Sequence, residues 1–505
     1  MKRRLAVFVL ASIVLIGVFA AVTYSFLPIV SNYAAYTILL SAVSALVAIA
    51  VVRQLMNYKG LTVHFWAMLV ILLMGYYVKL GILALIYDSA APGLVELAGE
   101  GTASLLGNAP VIVSSYELTT VSFLGFGLAI LAITTLAPAR TAGLSKTGYP
   151  DARGRWVSPH FFVRLLALTT LIYAIGAAMQ LGYGIGMGFS RQEDLPFRLA
   201  GFVMAIQRYL VPLAFLFVIW GADQGRLVRT ANAAVMLYLL YGVTYGLITT
   251  SRAGLIFVIA SLAGLWVSAG TLTARRGWLI AGAFLFSLVF GGYLAGVRFL
   301  RADPAIPVAE TIVAPLLAGS SLAGSGVEQS DAPFLLLAVS LRSIGMDSLL
   351  NIVAYDPSFS LDRWMAILAG ETSLDQIYGR DILGLNLTGA AFSPSLVGAF
   401  YILTCSIWAT GILAFLYTIM WHAVFRFVER SSLVLRPALL AILLLSVLLY
   451  TSEGTIETIP FTFGLISVAG LIGEYVVRGM LGKAAFNTLR GRPQAGVRQG
   501  IALRP

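Results

Sequence analysis

The sequence predicts an all-α polytopic membrane protein, and its composition and long apolar segments are the observations behind this prediction. Hydrophobic residues make up 59% of the 505 positions and charged residues only 11%, so there are too few charges to cover a water-soluble surface. The mean hydropathy is +0.91. A helix needs about 20 apolar residues to cross the hydrocarbon core of a bilayer, and segments of about that length recur along the chain.

Twelve such segments are predicted as membrane-spanning helices. They cover about residues 5–27, 34–52, 64–86, 118–137, 160–181, 199–221, 230–249, 253–270, 277–297, 396–421, 437–451 and 459–477. The chain then divides into nine helices, a large loop, three helices and a basic tail, with bounds at 1–297, 298–395, 396–477 and 478–505. The N-terminus also resembles a secretory signal peptide, but its apolar run is longer than usual, so we expect a retained first helix.

The loop charges predict the orientation of these helices. If Lys2, Arg3 and Arg4 face the cytoplasm, 22 of the 33 basic residues lie on that side, as the positive-inside rule requires. Both termini are then cytoplasmic, and 18 of the 22 acidic residues face outward. Because the cytoplasmic loops account for the net charge of +11, we predict no nucleic-acid partner and expect the lipid bilayer as the surrounding phase.

Cysteine and histidine give no sign of a metal centre. Cys405 stands alone in an apolar run, which excludes a disulfide within the chain. The three histidines, His64, His160 and His422, have no metal-ligand spacing, and all three map to the cytoplasmic side. The sequence therefore predicts no metal and no cofactor.

Several arginines do not follow the positive-inside rule. Arg208 is about ten residues into the sixth span, so at ~1.5 Å per residue it lies near the middle of the membrane. It either fixes helix packing in a buried ion pair or lines a hydrated cavity that admits an anion. We favour the cavity, since no acidic residue lies at an obviously matching depth. Arg252, in the turn TTSRAG after the seventh span, is predicted to face outward.

Guanidinium groups gathered on one face are suited to bidentate contacts with phosphate oxygens. For any single arginine at a helix end, the alternative is an interfacial anchor that snorkels to the lipid headgroups. Arg298 and Arg301 are three residues apart and so are neighbours on a helix that continues out of the membrane. The candidate anion-binding arginines are Arg191, Arg208, Arg252, Arg298, Arg301, Arg342, Arg363 and Arg380.

The large loop, residues 298–395, contains short amphipathic pieces that mix arginines with aspartates. One interpretation is a folded cap whose charges pair on its surface. The other is a lid that binds saccharide and phosphate, in which Trp364 and Tyr378 offer ring faces to sugars. The sequence leaves both interpretations open.

The turn TSRAG, the helix pair after it, the large outer loop and the segment GAAFSPSLVGAFYILTCSIWATGILAF together resemble the Wzy-type oligosaccharide repeat-unit polymerases and the related O-antigen ligases. The resemblance covers roughly residues 240–480 by architecture. It implies a GT-C-like membrane enzyme of the bacterial inner membrane. Such an enzyme joins glycans carried on undecaprenyl diphosphate at the periplasmic face, by inverting transfer without a nucleotide sugar, metal or cofactor.

That chemistry needs cations to stabilise the departing diphosphate and a base to take the proton of the acceptor hydroxyl. The first diphosphate candidates are Arg208, Arg252, Arg298 and Arg301, and the candidate bases are Asp303, Asp347, Asp381 and Glu453. The family implies a flippase and a chain-length-regulating co-polymerase as partner proteins.

Two other functions are considered. Ligases, by resemblance, use a histidine of the periplasmic loop, whereas the histidines here map to the cytoplasmic side, so a polymerase is favoured. A transporter or flippase of lipid-linked glycan suits twelve spans and a mid-membrane arginine. The single large loop and the lack of an evident repeat between the two halves of the chain argue against it.

The predicted orientation is tested with reporter fusions. Because the loop charges alternate, fusions after residues 150 and 430 should report a cytoplasmic position, and fusions after residues 110 and 350 a periplasmic one. A cytoplasmic signal after residue 350 would contradict the assignment of the large loop to the outer side.

Overall fold

The computed structural model describes residues 2–58, 62–88, 102–136, 159–185, 199–249, 253–301, 345–384, 393–431 and 435–489. Every regular element in these ranges is a helix, and they contain no strand. The all-α class predicted from the sequence is therefore confirmed. The predicted residues Arg191, Arg252, Asp303 and Arg342 lie outside the described ranges.

The described residues before the large loop form twelve α-helices. They are α1 (Lys2–Phe26), α2 (Ala34–Asn57), α3 (Val63–Leu72), α4 (Lys79–Asp88), α5 (Thr102–Leu106), α6 (Ala109–Leu136), α7 (Pro159–Tyr183), α8 (Leu199–Ala205), α9 (Val211–Gln224), α10 (Val228–Thr249), α11 (Ala253–Ser268) and α12 (Ala274–Arg301). Within the loop lie α13 (Met346–Tyr355), α14 (Leu361–Ala369) and α15 (Leu374–Gln376). The chain then forms α16 (Leu396–Thr404), α17 (Ile407–Arg430), α18 (Arg436–Glu453) and α19 (Ile459–Leu489).

In the described ranges, 11 helices are long and apolar enough to cross a membrane, and α11 is a shorter apolar helix. Together they agree with the prediction of about twelve spans in a polytopic membrane protein. The tenth predicted span, 396–421, is wrong as a single helix. The chain breaks after α16, where Cys405 takes a left-handed backbone conformation (φ 48°) and the Ser406 side chain caps α17.

The bundle is organised around α18. This helix packs against α3, α9, α11 and α17, and most of its side chains are buried. On one side of the bundle, α6 lies along α17 so closely that Gly125 on α6 meets the backbone of Gly411 on α17. A side chain at either glycine would force the two helices apart.

Three π-helical stretches interrupt or end helices next to charged residues. Leu73–Val78 joins α3 to α4 just before Lys79, Ile206–Leu210 joins α8 to α9 and contains Arg208, and Ile377–Ile382 follows α15. A π-helical stretch widens one turn of a helix and is frequent at functional sites. The hydrophobic pattern of the sequence does not show these stretches.

Residues 345–384 form a cap on one end of the bundle, which we name the cap side. Helix α13 packs against α4, α6 and α16. A small core joins the cap to α16, with Ile352 and Leu374 from the cap in contact with Ile402 of α16. The cap is therefore a packed part of the membrane bundle.

A buried ion pair fixes the start of the cap. Asp347, in the first turn of α13, contacts the ammonium group of Lys79 on α4, and both side chains are almost fully enclosed. Just before this pair, Gly345 has a positive φ of 90° and lies so close to Gly75 that a Cβ would stand 2.7 Å from its carbonyl oxygen. Asp347, a predicted base, is thus already engaged by a cation.

Removal of the Asp347 charge should destabilise the protein. Asp347→Asn removes the carboxylate that contacts the buried Lys79 ammonium, and breaking a buried ion pair typically costs about 3–5 kcal/mol. We expect a clear fall in the melting temperature of the detergent-solubilised protein, with most of the loss recovered in the double variant Lys79→Gln/Asp347→Asn. The exposed pair Arg380–Asp381 provides the control, because Asp381→Asn should change the melting temperature little. An Asp347→Asn protein as stable as the wild type would contradict this role.

Candidate functional site

Arg208 lies inside the bundle, in the π-helical stretch between α8 and α9, and part of its surface stays accessible. In the described part of the chain its guanidinium forms neither a hydrogen bond nor an ion pair, and its Cζ lies 6.0 Å from the centroid of the Tyr209 ring. Its neighbour Gln207 is fully buried and donates to the carbonyls of Ile172 and Tyr173. Gln207 therefore packs between helices, while Arg208 faces a different surface.

Glu453, at the end of α18, is electrostatically coupled to Arg208. Among the described residues the two side chains are beyond the 4.0 Å limit of a salt bridge, and the Glu453 carboxylate is partly accessible. The backbone that carries Glu453 is held firmly, since its carbonyl accepts from the Ser395 amide (3.1 Å) and the Ser393 hydroxyl. Gly454 follows with a φ of 77° and meets the Ser395 backbone closely, so only glycine fits there.

Tyrosines form the walls between these two charges. Tyr209, Tyr245 and Tyr450 all act electrostatically on Arg208. The hydroxyls of Tyr209 and Tyr450 both bond to Thr462 on α19, whereas the Tyr245 hydroxyl has no hydrogen-bond partner within the described ranges. We name Arg208, Tyr209, Tyr245, Tyr450 and Glu453 the Arg208–Glu453 site.

The separation of the two charges of this site is electrostatically unfavourable, and this favours a role in ligand binding. A cation and an anion that stay apart in a low-dielectric bundle gain little of the attraction that a contact pair would supply. An anionic ligand with hydroxyl groups would satisfy the guanidinium, the free phenol and the carboxylate together. The arrangement is therefore a candidate binding site for a polar molecule within reach of the cap side.

Two further carboxylates lie between the cap and the bundle. Glu457, in the 3₁₀ turn Ile456–Thr458, accepts a hydrogen bond from the Leu374 amide at 3.1 Å. Asp375 follows Leu374 and is coupled to both Glu457 and Glu453. The Asp375 Oδ1 and Glu457 Oε2 atoms are buried and have no hydrogen-bond partner among the described residues. Burial, followed by the charges of Glu457 and Glu453, raises the pKa of Asp375 to about 8, so Asp375 holds a proton at neutral pH.

Asp375 and Glu457 are not among the candidate site residues predicted from the sequence. Two signals are visible in the sequence. The turn TSEGTIET carries two glutamates four residues apart, and SLDQ forms a capping box in which Ser373 and Gln376 bond reciprocally around Asp375. Neither signal shows that the turn and the capping box meet in the folded chain.

The other predicted charges of the cap have partners within the cap. Asp381 pairs with its sequence neighbour Arg380 at the surface, with 2.7 Å between Arg380 Nε and Asp381 Oδ1. Arg363 Nη1 donates to the Ser358 carbonyl at 3.2 Å. No described contact brings these residues to the Arg208–Glu453 site. Their arrangement matches the interpretation of a cap whose charges pair on its surface.

The two predicted sugar-stacking rings lie in the small core of the cap. The Trp364 indole N–H donates to the Leu403 carbonyl at 2.7 Å, and Tyr378 is buried with its hydroxyl near the Asn351 amide, 3.4 Å away. Both rings therefore join the cap to the bundle. Helix α12 runs through Arg298 and Arg301, as predicted, while the positions of their side chains are not described.

The histidines lie at the end of the bundle opposite the cap. His64 Nε2 and His422 Nδ1 are 3.2 Å apart, and their rings stack with Phe65 and Phe425. Within the described ranges no three His, Cys, Asp or Glu side chains are grouped closely enough to hold a metal ion.

Comparison of this chain with protein-family models, with curated proteins and with solved structures gives no match. The membrane fold defines the class of protein.

The proton on Asp375 should make stability depend on pH. A folded pKa of about 8, against about 3.9 for a free aspartate, means that the folded state is favoured while Asp375 is protonated and loses that advantage as the pH rises towards 8. Asp375→Asn removes this dependence. The melting temperature of the variant should exceed that of the wild type by an amount that grows from pH 5 to pH 9. The exposed Asp362→Asn is the control, and parallel wild-type and Asp375→Asn curves would refute the assignment.

Proposed function

We propose that this chain is a polymerase that joins undecaprenyl-diphosphate-linked oligosaccharide repeat units at the periplasmic face of a bacterial inner membrane. In this proposal both termini are cytoplasmic and the cap faces the periplasm. The observation that carries it is the guanidinium of Arg208, which forms no hydrogen bond or ion pair with the described residues and is electrostatically coupled to Glu453 within the membrane bundle. The membrane fold also fits a substrate with a lipid anchor, which can keep its polyprenyl chain in the bilayer while its glycan lies beneath the cap.

The proposed reaction is a single displacement. The hydroxyl oxygen of the acceptor glycan attacks the anomeric carbon of the donor, and the bond from that carbon to the diphosphate oxygen breaks. The electron pair of the broken bond leaves with the diphosphate, and the hydroxyl proton passes to the Glu453 carboxylate. Attack opposite the leaving group inverts the anomeric centre.

Each side chain of the site has a role in this reaction. The Arg208 guanidinium offers up to five N–H donors to the diphosphate oxygens, where negative charge grows in the transition state. The Tyr245 hydroxyl can donate to the same oxygens. Glu453, a partly accessible carboxylate, is the base, a role in which a positioned side chain typically contributes ~10²–10⁴ in rate.

The histidines favour a polymerase over a ligase. The ligase chemistry implied by the resemblance uses a histidine of the periplasmic loop, whereas His64 and His422 pair at the end opposite the cap. His160 lies in the first turn of α7, which the loop charges predict to be on the cytoplasmic side. Among the described residues, the carboxylates of Glu453, Glu457 and Asp375 are electrostatically coupled near the proposed site, which contains no described histidine.

A deletion strain distinguishes the polymerase from the alternatives. A polymerase mutant should accumulate single repeat units on the lipid anchor at the periplasmic face. Accumulated polymer that is not transferred would indicate a ligase, and repeat units confined to the cytoplasmic face would indicate a flippase. A flippase and a chain-length co-polymerase are the partner proteins that this function implies.

Substitutions at the site test the roles of its two charges. Arg208→Lys and Arg208→Ala should both abolish polymer, since an ammonium group cannot reproduce the bidentate contact of a guanidinium with a diphosphate. Glu453→Gln should reduce polymerisation by about 10²–10⁴ because the amide cannot accept the proton. Glycan length is measured in complemented deletion strains with matched membrane levels of each variant. Arg275→Lys, at an exposed position on α12, is the control, and normal polymer from all three site variants would rule out the proposed site.

A further inference from the structure

The cap carries an apolar surface that the described part of the protein leaves uncovered. On α14, Leu361, Met365 and Leu368 are 66%, 58% and 74% exposed. Their spacing of four and three residues places them on one face of the helix. Phe359, 62% exposed, extends this surface just before the helix begins. Exposed apolar groups gathered in this way mark a surface that meets another apolar phase.

The next face of the same helix is already packed. Trp364 and Ile367 contact the small core that joins the cap to α16. With about 100° between successive residues, these two side chains and the exposed three form one continuous apolar arc. Asp362 and Arg363 lie on the opposite, polar side of the helix. One half of the apolar arc therefore meets protein, and the other half is open.

The depth of α14 follows from its hydrogen bond to the bundle. Trp364 donates to the carbonyl of Leu403, only four residues before the membrane-spanning helix α17 begins at Ile407. Near the start of α17, Trp408 and Ile412 are 73% and 60% exposed and lie on one face, which continues to Leu416. This face of a spanning helix meets lipid, and tryptophan is enriched where a span enters the headgroup region. Helix α14 thus lies where the lipid-facing surface of α17 starts.

We propose that α14 is an interfacial helix that binds the bilayer surface, with Leu361, Met365 and Leu368 inserted at the boundary between headgroups and acyl chains. An amphipathic helix of this kind buries its apolar face about 5–10 Å into that boundary. The bilayer then covers the open half of the apolar arc and holds the cap from a second side. This inference does not depend on the proposed glycan chemistry.

Site-directed fluorescence tests the position of α14. Cys405 is the single cysteine of the sequence, so Cys405→Ser gives a background in which one cysteine can be introduced at a time. Met365→Cys and Leu368→Cys report the apolar face, Asp362→Cys reports the polar face, and Trp408→Cys is the lipid-facing reference. Each full-length variant is labelled with an environment-sensitive fluorophore. It is then reconstituted into vesicles of phosphatidylethanolamine and phosphatidylglycerol.

Labels at positions 365 and 368 should resemble the label at 408. We expect blue-shifted emission, quenching by lipids that carry a spin label on the acyl chain, and loss of quenching by aqueous iodide. The label at 362 should show the reverse pattern. Iodide quenching at 365 and 368 equal to that at 362 would overturn the proposal. So would labels at 365 and 368 that neither iodide nor spin-labelled lipid quenches, because that pattern places a protein, such as a second copy of this chain, on this face.

Discussion

A charge held among apolar helices must be compensated by an opposite charge or by polar groups. The rest of this structure depends on how the charges of Lys79 and Arg208 are compensated. Lys79 is compensated by direct contact with Asp347, both side chains being enclosed. Arg208 has Glu453 nearby but not in contact, and both remain partly accessible. A contact pair with no free surface can only hold helices in place, whereas a separated pair leaves room for a third group. The same physical requirement therefore produces a contact that fixes helix packing at Lys79 and a candidate ligand site at Arg208.

The cap ties these two positions together. It is attached at Lys79 through Asp347, at α16 through the Trp364 indole, and at the turn after α18 through the bond from Leu374 to Glu457. The third attachment lies four residues from Glu453. Movement of the cap would therefore displace the turn that carries one of the two charges of the site. Because these joints belong to different helices, the cap cannot shift at one of them without straining the others.

The spanning helices could be predicted from the sequence because length and apolar composition are local properties. Contacts between segments that are distant in the chain could not be predicted in this way. From the sequence, Asp347 is a candidate base. Its partner Lys79 lies 268 residues away in the chain, so the sequence does not show that the two side chains pair. Their aromatic rings make Trp364 and Tyr378 candidate sugar-binding residues, but tertiary packing decides that both rings are buried against α16. The sequence identifies Arg208 by its depth in the sixth span and Glu453 by its position in a turn. It does not show that the two residues lie close together. The break at Cys405 contains neither glycine nor proline, and its local signal is Ser406, a residue type that commonly caps the start of a helix.

The proton on Asp375 resolves a difficulty in the proposed chemistry. Three carboxylates, those of Glu453, Glu457 and Asp375, are electrostatically coupled near one positive guanidinium, and together they would repel an incoming diphosphate. With a pKa of about 8, Asp375 is neutral at physiological pH and removes one of these negative charges. In that form it can also donate a hydrogen bond, which an ionised carboxylate cannot. In the proposed reaction, the neutral Asp375 would face the glycan from the cap, and the Arg208 guanidinium would bind the phosphates within the bundle.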